Sequence, residues 1–127
     1  MSKLETPMIR KYWEHVGGTL IEEFLAVPRS QNVGQRLIDA VIIPAGQKKI
    51  SKWNEVSIDG QDVICVQAKA SRLGMYLMGQ ALFSAELLRH RFNTKSVLSV
   101  ALCSRDDAVL RPLFEAYVNM KVVIIPQ

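Results

Sequence analysis

The chain has 127 residues, 49% of them hydrophobic and 22% charged, with a net charge of +4 and a mean hydropathy of +0.10. That is enough for one compact domain and excludes a disordered chain. No apolar run approaches the roughly 18 residues that span a bilayer. Charges also break up "MSKLETPMIRKYWEHVGG" too often for a secretory signal. A single cytoplasmic domain over residues 1–127, with no membrane contact, is therefore expected. The mild positive excess permits a nucleic-acid partner without establishing one.

Thr6 before Pro7 reads as a capped helix start, and Met8, Ile9, Tyr12, Trp13 and Val16 recur at helical spacing up to Gly17-Gly18. "TLIEEFLAV" (19–27) reads as a strand closed by Pro28, and "RLIDAVIIP" (36–44) as a second. The polar stretch "AGQKKISKWNEVSIDGQ" connects it to a third strand over 62–69. A long helix, apolar around most of its circumference, follows at 72–92, then a strand at 96–104. "RDDAVLRPLFEAY" reads as a short helix with Asp106 and Asp107 at its positive end, and "KVVIIP" as a last strand. The fold class expected is α/β, of order α-β-β-β-α-β-α-β, with a mixed four- to five-stranded sheet flanked by helices. The first three strands pair as an antiparallel meander, and the long helix crosses to a parallel strand.

Cys65 and Cys103 have no close spacing, so buried free thiols are expected rather than a zinc site or a disulfide. The chemistry concentrates elsewhere. In "DVICVQAKAS" (62–71), Gln67 and Lys69 share one face of the third strand, where an amide and an ammonium each need partners. Asp39 lies mid-strand in "LIDAVII", a disfavoured place for a carboxylate. If these strands are neighbours, all three converge at one end of the sheet. The Asp39 carboxylate, the Gln67 amide oxygen and the main-chain carbonyl of Ala68 would be hard ligands for Mg²⁺. Lys69 would hold or deprotonate an attacking water, or stabilise charge on a phosphate. The plainer alternative is a structural Asp39–Lys69 ion pair at a sheet edge.

The order helix, strand, strand with Asp39, connector, strand with "VQAK", helix, strand resembles the PD-(D/E)XK, or restriction-endonuclease-like, nuclease superfamily. Asp39 matches the superfamily's aspartate and Lys69 its lysine, and Gln67 stands where Glu or Asp is usual. The Gln-x-Lys form is similar to that of Mrr-type endonucleases, and the size and element order to small Holliday-junction resolvases. The resemblance implies a restriction-endonuclease-like core and a Mg²⁺- or Mn²⁺-dependent endonuclease acting on DNA without an organic cofactor. It also implies a glutamate on the first helix, for which Glu5 is the match, completing a set of Asp39, Gln67, Ala68 and Glu5 around the metal. Ser2-x-x-Glu5 can equally be read as a capping box, and Glu22 or Glu23 is the fallback carboxylate. A glutamine on the helix after the lysine strand is implied as well, and Gln80 fits, with Gly79 beside it to allow close approach to the sheet.

For phosphate contacts the candidates are Arg72 and a basic connector of Lys48, Lys49 and Lys52 with Trp53, which could also stack a base. The Met75, Met78, Leu82 and Ala85 stripe fits core packing or a dimer seam, and cutting both strands calls for a symmetric homodimer. The rival readings are an inactive nuclease-fold module that binds nucleic acid or a protein, and a structural protein.

Overall fold

A computed structural model describes residues 3–127. Its elements run α1 (Glu5–Val16), β1 (Thr19–Val27), β2 (Arg36–Ile43), β3 (Lys49–Ser51), β4 (Asp62–Arg72), α2 (Met75–Arg91), β5 (Ser96–Arg105), α3 (Leu110–Glu115) and β6 (Met120–Ile124). They build one six-stranded mixed sheet in the order β3-β1-β2-β4-β5-β6. The sheet thus has six strands, not four or five. The extra one is β3, three residues inside the polar connector, too short to show a period of two. It pairs parallel to the start of β1, Thr19 opposite Lys49.

The meander of β1, β2 and β4 forms as expected, antiparallel at both seams, and α2 carries the chain over to β5, parallel to β4. β6 adds parallel to β5. Only β2 runs against the other five strands.

The layers follow from side-chain alternation along the strands. Ile64, Val66 and Ala68 of β4 face α1 and pack with Met8, Ile9, Tyr12 and Trp13. Val63 and Cys65 point the other way, onto Ala85 and Leu88 of α2. Beyond them Leu77 and Ala81 of α2 meet Phe114 of α3 over Ala101 and Cys103. The result is helix, sheet, helices in three layers, with both cysteines free and buried as expected.

Two details of α1 differ from the sequence reading. The helix begins at Glu5 with Leu4 at its cap position, so Thr6 lies inside it. Pro7 is still tolerated, because first-turn N–H groups have no helical acceptor. Ser2 of the alternative capping box lies outside the described residues. At the other end Gly18 is obligatory: its φ is +76°, and a Cβ there would overlap the carbonyl oxygen of Ile43.

Candidate active site

The backbone ladder between β2 and β4 stops at Ala40 opposite Val66. Beyond that point side chains take over. The Asp39 carboxylate accepts a hydrogen bond from the Ala68 N–H at 2.9 Å, and the Gln67 Oε1 accepts from the Asp39 N–H at 3.4 Å. The next outward N–H on this edge of β4, that of Ala70, donates to Glu5 Oε2 at 3.2 Å. Two carboxylates, one from β2 and one from α1, therefore sit on successive amides about 6.6 Å apart. Meanwhile β4 stays paired to β5 as far as Lys69. The outcome is a notch between β2 and β4 floored by a strand held on one side.

Its geometry has a backbone cause. Glu23 sits between the pairs Glu22–Ala40 and Phe24–Ile38 with a φ of +51°, a conformation that a glutamate adopts at an energetic cost. Ile21 and Phe24 consequently enter the same core cluster, as do Ile38 and Val41 across from them. Both strands step out of phase at the level of Asp39.

Burial, the largest influence, pushes the Asp39 carboxyl above its ordinary value; the Ala68 hydrogen bond opposes it, and the charges of Glu23 and Glu5 add to it. Glu5 is itself buried. Gln67, 5% exposed, has its orientation fixed, because its Nε2 donates to Ser84 Oγ of α2 at 2.7 Å. Ser84 was not foreseen. The only signal was a lone hydroxyl in the apolar run "ALFSAELL", on the flank shared by Leu77, Ala81, Ala85 and Leu88.

Comparison with protein-family models, curated proteins and solved structures gives no match. The functional reading therefore rests on the residues themselves.

Asp39, Gln67, Ala68 and Glu5 are brought together, and Lys69 stands exposed beside them. The plain Asp39–Lys69 ion pair does not form: among the described residues Lys69 makes no salt bridge. Of the two fallback carboxylates, Glu22 is engaged by Arg10 through two hydrogen bonds of 2.9 and 3.0 Å, whereas Glu23 is one of the charges acting on Asp39. Gly79 does not ease contact with the sheet; a Cβ there would meet nothing within 4 Å. Gln80 is exposed, one turn before Ser84 and so nearer the C-terminal end of β4.

The basic residues divide. Lys48 is tied to α1 by a 3.1 Å bridge to Glu14 and lies 4.7 Å from the centre of the Trp13 ring, so it leans on α1. Lys49 pairs with Thr19, four residues from Glu23 and so about 13 Å along the sheet from the notch. Lys52 is exposed on the same edge. Arg72 is at the notch end, in register with Arg105, a residue the sequence reading passed over. Like charges opposite one another are unfavourable until an anion joins them.

The oxygens gathered here (two carboxylates, an amide oxygen and the outward carbonyl of Ala68) are hard donors of the kind that Mg²⁺ takes. A cation would also relieve a carboxyl that burial and two neighbouring acids hold against ionisation. The donor set fits, although among the described residues no three His, Cys, Asp or Glu side chains form a ready metal cluster. Among them, too, no helix is long and apolar enough to cross a membrane.

Proposed function

We propose that this chain is a Mg²⁺- or Mn²⁺-dependent nuclease of the restriction-endonuclease-like type, hydrolysing phosphodiester bonds in DNA. The observation that carries the reading is the seating of Asp39 and Glu5 on the Ala68 and Ala70 amides along one edge of β4, with the Gln67 oxygen between the strands. The order α1, β1, β2, β4, α2, β5 supports it. Asp39, Glu5, Gln67 and the Ala68 carbonyl would hold the metal, whose chemistry is to acidify water and neutralise phosphate charge. Lys69, free of any bridge among the described residues, orients the water or offsets charge on the phosphate. Ser84 positions the amide, and Arg72 with Arg105 contacts the backbone of the substrate.

A cleavage panel of duplex, branched and single-stranded DNA and RNA with Mg²⁺ or Mn²⁺ tests this. Activity should fall at least 100-fold in Lys69→Ala and in Asp39→Asn, in keeping with the loss of a group acting in the transition state (about 2.7 kcal/mol). Equal activity in all three proteins would overturn it. The rival, a nuclease-fold module that binds without cutting, is favoured by the commitment of both ends of the Gln67 amide to the protein. Calorimetry separates the two, since that module would bind DNA but no metal.

One site per chain cuts one strand, so a symmetric pair of chains belongs to the same proposal. Its seam would be the outer face of α2 and α3, where Met75, Tyr76, Phe83, Val109, Leu113 and Tyr117 are 59–79% exposed. Together these leave apolar surface on the order of 800 Å², one partner's share of a standard interface.

A further inference from the structure

A cavity of about 440 Å³ opens between the end of β1, the loop after β3 and the last turn of α2, within the range that small-ligand sites occupy. Phe24 and Phe92 line it, packed edge to face with ring centres 5.4 Å apart. Trp53 stands at its side, 45% exposed and outside the three core clusters. An indole that packs no core and flanks an aromatic floor offers a free stacking surface.

The rim is polar in a specific way. Arg91 is anchored through Nε to the Ala26 carbonyl at 2.9 Å, which leaves the donors of its terminal nitrogens for a ligand at the rim. Asp59 is anchored by the Asn93 N–H at 2.9 Å through Oδ1, which leaves Oδ2 as an acceptor. The two charges cancel. A lone anion would be repelled by Asp59, and an aliphatic ligand would leave both groups unpaired. A flat heteroaromatic ring with donors and acceptors on its edge satisfies the floor, the wall and the rim together.

Position narrows the choice further. Arg91 lies seven residues after Ser84, about 10 Å along the helix, and Ser84 touches Gln67. The cavity is on the same α2 face, and β1 is two strands from β4, again about 10 Å. Three stacked nucleotides cover that span at about 3.4 Å each.

We propose that this cavity receives an unstacked nucleobase of the substrate strand about three nucleotides from the bond that is cut. Resting on the nuclease reading above, this names the substrate class: single-stranded or branched DNA, because the bases of an intact duplex are stacked and paired and cannot enter without being flipped out.

The test uses binding rather than cleavage. Anisotropy of a labelled single-stranded oligonucleotide in EDTA, with and without one abasic position, is measured for the wild type, Trp53→Ala and Trp53→Phe. The base-bearing strand should bind the wild type about 5- to 150-fold more tightly than it binds Trp53→Ala. Trp53→Phe should recover most of the loss. An abasic position, scanned along the strand, should weaken the wild type at one place and leave Trp53→Ala indifferent. If wild type and Trp53→Ala bind base-bearing and abasic strands alike, the cavity is not a base site, whatever the cleavage panel shows. Base-dependent binding without any metal-dependent cleavage would instead remove the nuclease and keep the pocket.

Discussion

Replacing Asp39 separates its hydrogen bond from its charge. Alanine leaves the buried Ala68 N–H without its 2.9 Å acceptor, which costs about 1–3 kcal/mol, or roughly 3–10 °C in melting temperature for a domain of this size. Asparagine keeps an oxygen at the same place and discards the charge that burial, Glu23 and Glu5 oppose. In EDTA at neutral pH, Asp39→Asn should therefore melt at or above the wild type, and Asp39→Ala well below it. The pH dependence has a definite sign. Because the folded carboxyl titrates above its unfolded value near 3.9, the folded state holds a proton between those two points that the unfolded state has released. Wild-type stability from this group is lowest at neutral pH and rises as pH falls through that window, so the margin of asparagine over aspartate shrinks on acidification. Adding about 10 mM Mg²⁺ against a Kd of about 1 mM should stabilise the wild type by about 1.4 kcal/mol, and Asp39→Asn by much less. Differential scanning fluorimetry over pH 4–8 reads all of this. If asparagine melts as early as alanine at neutral pH in EDTA, the carboxylate is a satisfied structural anion and the strained-site reasoning fails.

Gln67→Glu would place a third acid against Asp39 and Glu5; Mg²⁺ affinity in calorimetry should rise while the metal-free protein melts earlier. Gln67→Ala should lose about 2–3 kcal/mol in urea unfolding, since it strips partners from the Asp39 N–H and from buried Ser84. Burial pushes the Cys65 thiol up to about 12, and burial also raises Cys103; both should resist a thiol reagent at pH 8 in the native state and react on unfolding, and rapid native labelling would contradict the three-layer packing. Phe83→Glu should convert a dimer to a monomer in sedimentation without an earlier melt of the isolated chain, whereas a wild type that is monomeric at tens of micromolar (on the order of a weak dimer's Kd) removes the α2–α3 seam.

The long elements were legible because each one carries its own period or its own punctuation. β1 runs Thr19–Val27 as read, and β5 differs by one residue at its end. The meander and the crossover followed from element order alone. What escaped was set by tertiary placement. A three-residue edge strand has no period to detect, and a left-handed Glu23 violates the preference of its own residue type. Lys48 looked like part of a basic loop until the fold set it over Trp13. Gly79 looked like a contact point, yet it faces solvent. In the site, Asp39, Gln67 and Lys69 announced themselves as polar residues in apolar strands. Ser84 did not, because a hydroxyl is common enough in helices to pass unremarked. Glu5 needed the helix to start two residues earlier than Thr6 and Pro7 suggested.

The parting of β2 from β4 opens the sheet without loosening either wall. β4 is clamped along β5 as far as Lys69, so the floor that carries Gln67 and Lys69 is fixed at its far edge. The opposite lip, from Arg36 to Ile38, is laced to β1 in the same way and meets the floor only through side-chain oxygens at Asp39. The cleft is therefore a slit between two braced walls, and whatever enters must match a width already set.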